Sequence, residues 1–171
     1  FNAMPPLHHR DPGPVAGALA AAAVGDARLE LVADGVHLDE EAVRTVVTLL
    51  GQDKVVLVTD AMAAAGMSDG HYRLGPGEVR VTGGVARIAG GGDAPLAGGT
   101  AHLLEVVRRC VRSGLDLATV VTAATRTPAA VLGLEHRCGS LEVGRRADLV
   151  VTDDDLGLRG VMRAGEWVLA P

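Results

Sequence analysis

The sequence predicts an α/β fold, with the pattern of the last strands of a (β/α)8 barrel followed by a small separate β-sheet. Two short apolar runs, 28–33 and 54–59, have the character of buried strands, and each follows a helical segment. This alternation is typical of βαβ units, whose crossover is right-handed in nearly all known proteins. The residues from 139 onward favour strands again. We therefore divide the chain into a barrel part, residues 1–137, and a tail of strands, residues 138–171.

The helices of the barrel part are bounded by recognisable start and stop signals. Pro14 lies in a first turn that needs no N–H donor, and Gly25 ends the Ala-rich segment that follows. Asp39 is suited to cap the second helix, whose apolar residues recur at i, i+3, i+4 and i+7, and Gly51 ends that helix. Thr100 is the expected cap of the third helix. The remaining helical stretches are 100–113, 117–125 and 127–133.

A β-hairpin interrupts the barrel pattern at about residues 72–90. Residues 78–82 and 85–89 alternate apolar and polar side chains across Gly83-Gly84, which is a strong signal for a two-residue hairpin. The loop from Gly90 to Gly99 that follows is unusually rich in glycine. Taken alone, this composition fits a flexible connection as well as it fits a functional loop.

Composition limits the class of protein. Of the 171 residues, 48% are hydrophobic and 22% are charged, as in a well-packed globule rather than a disordered chain. The formal net charge of −5 argues against nucleic acid as a partner. No run of about 18 apolar residues is present to span a membrane. Cys110 and Cys138 have neither metal-type nor disulfide-framework spacing, which favours free thiols in a cytoplasmic protein.

Polar side chains follow both predicted barrel strands. Because parallel strands place their carboxyl ends at one edge, we expect Asp34, His37 and Asp60 together, where such barrels carry their active sites. A carboxylate directly after a buried strand is costly unless it meets donors, a metal or a reacting proton, so Asp60 is the candidate catalytic residue. A capping role for Asp60 and an ordinary polar contact for His37 are the structural alternatives. The cluster His8-His9-Arg10 is either a solvated surface run or a phosphate clamp.

We expect the barrel pattern to continue upstream of Phe1. An all-parallel sheet is covered on both faces and needs neighbouring strands, and this pattern contains only the last two. Such a portion by itself would leave a long unpaired strand edge. The chain also begins at Phe1, inside what reads as a structured motif, rather than at an initiator Met.

Five motifs are distinctive. They are FNAMPPLHHRDPG at 1–13, ADGVHLD at 33–39, VTDAMAAAG at 58–66, LAGGT at 96–100 and GSLEVGRRADLVV at 139–151. In order and spacing, the first four resemble the N-acetylglucosamine-6-phosphate deacetylase family. The fifth resembles a signature shared across the amidohydrolase superfamily and by itself indicates only that superfamily, whereas FNAMPP and ADGVH together are much more specific. The resemblance covers essentially the whole chain.

This resemblance implies a metal-dependent barrel with a small β-sandwich, acting as a cytoplasmic homodimer. The implied reaction hydrolyses the acetamide of N-acetylglucosamine 6-phosphate to acetate and glucosamine 6-phosphate in amino-sugar metabolism. Asp60 matches the family's aspartate after the last barrel strand, implied to be general base toward a metal-bound water and then general acid toward the leaving amine. The implied cofactor is a divalent ion, zinc or similar, whose ligands, a Glu and two His, come upstream of Phe1, as does a substrate-polarising His. Within this chain the resemblance implies no metal ligand, with a contact from Asp60 left open.

The same resemblance implies substrate contacts. Arg10 is implied to reach the phosphate, from one subunit into the site of its neighbour. His37 matches a sugar-contacting histidine. The other matching positions are Asn2, Ala3, Asp34, Gly35, Val36, Leu96, Ala97 and Gly98, the last three in a loop that closes over the substrate. The family often has Ser where this chain has Gly99, so the hydroxyl contact made there is not carried over.

Two other functions stay open at this point. Another amidohydrolase, such as a dihydroorotase-like or aminoacylase-like enzyme, would keep the tail signature and Asp60 without needing the FNAMPP and ADGVH motifs. A non-catalytic remnant that binds a sugar phosphate would be compatible with metal ligands being absent from this sequence.

Overall fold

The computed structural model describes residues 1–90 and 94–171. Within these ranges the chain forms five helices and three separate β-sheets. The helices are α1 Gly13–Val24, α2 Glu40–Leu50, α3 Leu103–Arg112, α4 Leu117–Ala124 and α5 Arg126–Val131. The strands are β1 Leu29–Val32, β2 Val55–Val58, β3 Gly70–Leu74, β4 Gly77–Thr82, β5 Val85–Ile88, β6 Leu149–Thr152, β7 Leu158–Arg163 and β8 Glu166–Leu169.

The two predicted barrel strands pair in parallel, as expected. Leu31 of β1 lies opposite Leu57 of β2, and α2 makes the connection between the strands. Helices α2, α3 and α4 cover this pair with a core of small apolar side chains, so β2 is an almost continuously buried run. The core residues contributed by the helices are Val43, Val46, Val47, Val106, Val107, Cys110, Val120, Ala123 and Ala124.

Of the two predicted N-caps, the one for α2 is confirmed and the one for α3 is wrong. Asp39 caps α2, since its Oδ1 accepts the Glu41 N–H at 2.9 Å. Thr100 does not cap α3, which begins at Leu103 with His102 as its N-cap. The reason is Glu105, whose carboxylate accepts the His102 N–H at 2.7 Å and fixes the helix start there. Thr100 instead donates its hydroxyl to the carbonyl oxygen of Gly84.

Replacing Asp39 by alanine is expected to lower the free energy of unfolding by about 1 kcal/mol, because the side-chain acceptor at the start of α2 is lost. Urea denaturation of the purified chain measures this change. Asp53→Ala, at an exposed carboxylate just before β2, is the matched control and is expected to have a smaller effect. An equal loss in both variants would contradict the capping role.

The predicted hairpin is confirmed, and it belongs to a three-stranded antiparallel sheet. β4 and β5 pair across Gly83-Gly84, and β3 pairs with β4 on the other side. Strand β3 has no clear signal in the sequence, because its side chains are mostly exposed and do not alternate in polarity. This sheet has its own small core, made by Met62, Ala64, Val79, Val81, Ala86 and Ala97.

The Gly-rich loop returns to the hairpin sheet. The Ile88 N–H donates to Pro95 O at 3.0 Å, and the Ala97 N–H donates to Ala86 O at 2.9 Å. The loop therefore runs beside β5 from residue 95 onward, which is not the behaviour of a flexible connection. Residues 91–93 lie outside the described part of the chain.

The tail forms a separate antiparallel sheet in the order β6-β7-β8, with the last two strands joined at Ala164-Gly165 as predicted. It contacts the barrel part through Arg108 of α3, whose Nη2 donates to the carbonyl of Leu156 at 2.7 Å. Apolar side chains of this sheet, including Val150 and Val168, are exposed. Among the described residues no helix has the length and hydrophobicity needed to cross a membrane.

Candidate active site

The register of the parallel strands brings the predicted site residues together. Val32 pairs with Val58, so the polar residues that follow β1 and β2 leave the sheet at the same edge. At that edge His37 Nε2 lies 3.7 Å from Asp60 Oδ2. The expected co-location of Asp34, His37 and Asp60 is therefore confirmed.

Asp34 organises the turn that follows β1. Its Oδ1 accepts the N–H groups of Val36 at 2.9 Å and His37 at 2.8 Å, and its Oδ2 is 2.8 Å from His37 Nδ1. The side chains of Asp34 and His37 are only 4% and 1% exposed. This is an Asx-type turn, in which both carboxylate oxygens are hydrogen-bonded to residues of the same loop. It leaves little of Asp34 available for direct contact with a ligand.

Gly35 is required by this turn. Its φ is +75°, and a Cβ there would lie 2.6 Å from Nη1 of Arg109. Arg109 also pairs with Glu40 at 2.8 Å, so the guanidinium is fixed against the outside of the turn. The packing of Arg109 on Gly35 joins α3 to the loop that carries His37.

Hydrogen bonding keeps Asp34 ionised. Burial by itself would raise the pKa of Asp34, but the backbone N–H groups of His37 and Val36 and the His37 ring outweigh it and hold that pKa below its ordinary value. The pKa in the folded state is thus lower than in the unfolded chain. Ionised Asp34 therefore stabilises the fold above the ordinary value of 3.8, and this contribution is lost as the pH falls through the folded-state pKa.

A pH dependence of stability follows from this shift. At neutral pH, Asp34→Asn is expected to lower the free energy of unfolding. At about pH 2 this deficit is expected to be smaller, because the pH is then below the ordinary pKa of 3.8 and the stabilisation that comes from the lowered pKa of Asp34 has decreased. Urea denaturation at the two pH values measures the effect. The expectation is wrong if the deficit of Asp34→Asn stays the same at both.

The backbone of Asp60 is fixed by hydrogen bonds, whereas its carboxylate is accessible to solvent. Its φ is +50°, an uncommon left-handed conformation for a residue other than glycine. The Gly99 N–H donates to Asp60 O at 2.6 Å, and the Met62 N–H donates to Gly99 O at 2.9 Å. Its side chain is 55% exposed. These bonds, with Met62 in the hairpin core, therefore fix the chain from Asp60 to Met62 while leaving the carboxylate accessible.

The loop residues predicted to close over the substrate pack against the hairpin sheet, and Gly98 also lies close to the backbone of Asp60. Ala97 is buried in the hairpin core, and Leu96 forms a bridge with Arg87 of β5. Gly98 has a φ of +99°, and a Cβ there would be 3.0 Å from Asp60 O. Their substrate contacts stay a prediction.

An open cleft of about 600 Å³ is lined by residues of α1 and by all four residues of β1. Asn2 and Asp60 both line it, together with apolar residues of β1. Ala3, with a φ of +59°, lies in the same N-terminal segment. Arg10 is exposed and does not line this cleft. A second cleft, of about 730 Å³, lies on the Arg109 side of the turn and is lined by Asp34 and Val36.

The described residues do not by themselves form a metal centre. Two donor atoms face each other at the strand edge, His37 Nε2, which is buried without a partner among these residues, and Asp60 Oδ2. Catalytic zinc usually takes three protein ligands and leaves one position open. No group of three or more His, Cys, Asp or Glu side chains in residues 1–90 and 94–171 is placed to hold an ion.

Comparison with known proteins adds an independent observation. The Amidohydrolase family matches residues 7–168. The chain is 39% identical over 172 residues to the N-acetylglucosamine-6-phosphate deacetylase of Bos taurus, covering 98% of this chain and 41% of that protein. It is 40% identical over 169 residues to the putative N-acetylgalactosamine-6-phosphate deacetylase of Escherichia coli K12, covering 97% of this chain and 96% of that protein.

A solved structure is also similar. It is an N-acetyl-D-glucosamine-6-phosphate deacetylase of Mycobacterium smegmatis, an aspartate-to-alanine mutant in complex with N-acetyl-D-glucosamine-6-phosphate. The TM-score is 0.90 and the identity 44%, over 99% of this chain and 44% of that one. The chain thus spans about two-fifths of the bovine and mycobacterial proteins and nearly all of the E. coli protein.

Proposed function

Since this chain belongs to the amidohydrolase family, and within it to the deacetylases of N-acetylated amino-sugar 6-phosphates, we propose that the protein containing it deacetylates N-acetylglucosamine 6-phosphate. The products would be acetate and glucosamine 6-phosphate. One observation carries the assignment of the site. It is the pairing of an accessible Asp60 carboxylate with a buried His37 at the carboxyl edge of two parallel strands, beside an open cleft.

The chemistry proposed for Asp60 is proton transfer in both directions. The carboxylate accepts a proton from water while the water oxygen bonds to the carbonyl carbon of the acetamide. It then returns that proton to the amine nitrogen as the carbon–nitrogen bond breaks. Its exposed carboxylate and fixed backbone suit this role, because a proton carrier must reach the reacting atoms without moving the chain that holds it.

We further propose that the reaction needs a divalent ion, zinc or similar. His37 and Asp60 supply two donor atoms at most, so this part of the chain does not hold the ion alone. The resemblance implies that the ligands, a Glu and two His, come from family positions upstream of the FNAMPP motif, with a contact from Asp60 left open.

The proposed architecture is the end of a (β/α)8 barrel, residues 1–137, with strands of a β-sandwich, residues 138–171. Two features of the described residues support it. Among the described residues β1 pairs with β2 alone, so its other edge is open to a neighbouring barrel strand, and all four of its residues line the cleft. The tail sheet leaves Val150 and Val168 uncovered, as expected of a sheet that packs against a second one.

We propose a homodimer in which Arg10 of one subunit binds the phosphate in the site of the other. The exposed position of Arg10, away from the lining of the Asp60 cleft, supports this arrangement. Binding of the anionic phosphate needs a local positive charge, since the chain as a whole carries a net charge of −5. We place the reaction in the cytoplasm, in keeping with Cys110 and Cys138 being free thiols.

The epimeric substrate, N-acetylgalactosamine 6-phosphate, is the second candidate. The chain is 39% identical to the bovine glucosamine-type enzyme and 40% identical to the E. coli galactosamine-type protein, so identity does not separate the two. The sugars differ only in the configuration of one hydroxyl group, and the discrimination must come from a contact with that group.

Acetate release from both sugar phosphates, with and without added divalent metal, tests the proposal. We expect metal-dependent release from the N-acetylglucosamine compound and much less from the sugar without its phosphate. Faster release from the galactosamine epimer would favour the second candidate. Turnover of an N-acyl amino acid or dihydroorotate, with no acetate from either sugar phosphate, would indicate another amidohydrolase. Sugar-phosphate binding without turnover in the presence of metal would indicate a binding protein.

A further inference from the structure

The two ring nitrogens of His37 differ: one is hydrogen-bonded, and the other is buried with no hydrogen-bond partner in the described part of the chain. Nδ1 lies 2.8 Å from Asp34 Oδ2, whereas Nε2 has no hydrogen-bond partner among the described residues. The polar atom that faces Nε2 is Asp60 Oδ2 at 3.7 Å, which is beyond hydrogen-bonding distance. The two nitrogens of this ring are therefore in different environments, and that difference decides where the ring hydrogen lies.

The carboxylate of Asp34 determines which ring nitrogen of His37 carries the hydrogen. An ionised carboxylate only accepts hydrogen bonds, so at 2.8 Å the ring must present an N–H from Nδ1. A lone pair on Nδ1 would instead face carboxylate oxygen at close range. A hydrogen on Nε2 would find no acceptor within hydrogen-bonding distance, because Asp60 Oδ2 is 3.7 Å away. The interaction of Nδ1 with Asp34 at 2.8 Å is stronger than that of Nε2 with Asp60 at 3.7 Å, and the tautomer with the hydrogen on Nδ1 is therefore favoured.

We propose that Asp34 is a positioning residue that fixes the Nδ1–H tautomer of His37 and so presents Nε2 as a hydrogen-bond acceptor beside Asp60. Asp34 then acts through His37 rather than by contacting a ligand itself. The group that Nε2 accepts from is an O–H donor, either water or a sugar hydroxyl. The sugar as donor rests on the function proposed above, whereas the setting of the ring by Asp34 does not.

The Asp34→Asn substitution separates this role from a structural one. The asparagine Oδ1 still accepts the N–H groups of Val36 and His37, so the turn keeps its hydrogen bonds. Its amide nitrogen, however, now donates toward Nδ1 of His37. The ring hydrogen is therefore expected to move to Nε2, which turns the acceptor beside Asp60 into a donor. A side chain with a purely structural role would not change the tautomer in this way.

The experiment is a long-range proton–nitrogen correlation spectrum of the chain labelled with ¹⁵N-histidine, in which protonated and unprotonated ring nitrogens resonate far apart. Loss of signals in His37→Gln identifies the His37 ring. We expect Nδ1 protonated and Nε2 unprotonated in the wild type, and the reverse in Asp34→Asn. Asp69→Asn is the matched control, because Asp69 also accepts two backbone N–H groups, from Gly83 and Gly84, but within residues 1–90 and 94–171 it has no hydrogen bond or ion pair with a histidine. It should leave the His37 pattern unchanged.

A wild-type ring with hydrogen on Nε2, or on both nitrogens at neutral pH, would overturn the inference even if Asp34→Asn failed to fold. An unchanged tautomer in a folded Asp34→Asn would overturn it as well. Addition of N-acetylglucosamine 6-phosphate distinguishes the donors, since a shift of the Nε2 resonance that inorganic phosphate does not cause identifies a sugar hydroxyl, and its absence identifies water. Because the tautomer is read without substrate or metal, it stands or falls separately from deacetylase activity.

Discussion

Replacing Asp60 by asparagine is expected to lower the rate of acetate release by about 10²–10⁴-fold, the range in which general acid–base catalysis contributes. Asparagine has nearly the same size and shape, but its amide does not take up a proton from water at neutral pH. The side chain is 55% exposed and its position is set by backbone hydrogen bonds, so the substitution should not disturb the fold. The loss is therefore expected in kcat, with binding of the sugar phosphate changed by only a few-fold.

The measurement is acetate release under saturating substrate and metal, with the protein that contains this chain, together with calorimetric binding of the sugar phosphate. Asp53→Asn is the matched control, an exposed carboxylate at the opposite end of β2, and it should keep full activity. Comparable rates for Asp60→Asn and the wild type would remove Asp60 from the mechanism. Weaker substrate binding with an unchanged kcat would make it a binding residue instead.

The position of Asp60 was predictable because it depends on local pattern. Two buried runs separated by an amphipathic helix favour parallel pairing, and the residues that follow them then share one edge. The hairpin was predictable for the same reason, since Gly83-Gly84 and the alternating flanks are adjacent in sequence. Asp34, His37 and Asp60 therefore came together in the structure as the sequence indicated.

Contacts between distant parts of the chain were not predictable. Nothing near Arg109 in the sequence indicates that its guanidinium packs against Gly35. Nothing near Gly99 indicates that its N–H donates to the carbonyl oxygen of Asp60. The predicted N-cap of α3, Thr100, was wrong for a related reason. The helix begins after His102 because the side chain of Glu105 accepts the His102 N–H. The sequence thus identified the catalytic candidate but not the residues that hold it in place.

Gly99 is the residue on which the placement of Asp60 most depends. It forms a parallel bridge with Ala61, and its N–H and carbonyl bond the chain on both sides of that residue. A Cβ at position 99 would overlap the carbonyl oxygen of Thr59, a backbone atom that cannot move aside without taking Asp60 with it. This close approach gives a physical reason for glycine here, and a serine at this position would require residues 59–60 to be displaced.

Gly99→Ala is therefore expected to lower the free energy of unfolding by about 1–3 kcal/mol, the usual cost of overpacking, and to reduce acetate release by displacing Asp60. Gly17→Ala is the matched control, because Gly17 lies in the exposed middle of α1 with open space around its missing side chain. The same added methyl group there should stabilise the chain by about 0.5–1 kcal/mol, since alanine is the better helix former. Urea denaturation of both variants measures the contrast. If Gly99→Ala is as stable as the wild type, the Thr59 carbonyl has room to give way, and the backbone pairing at Gly99 is not what fixes Asp60.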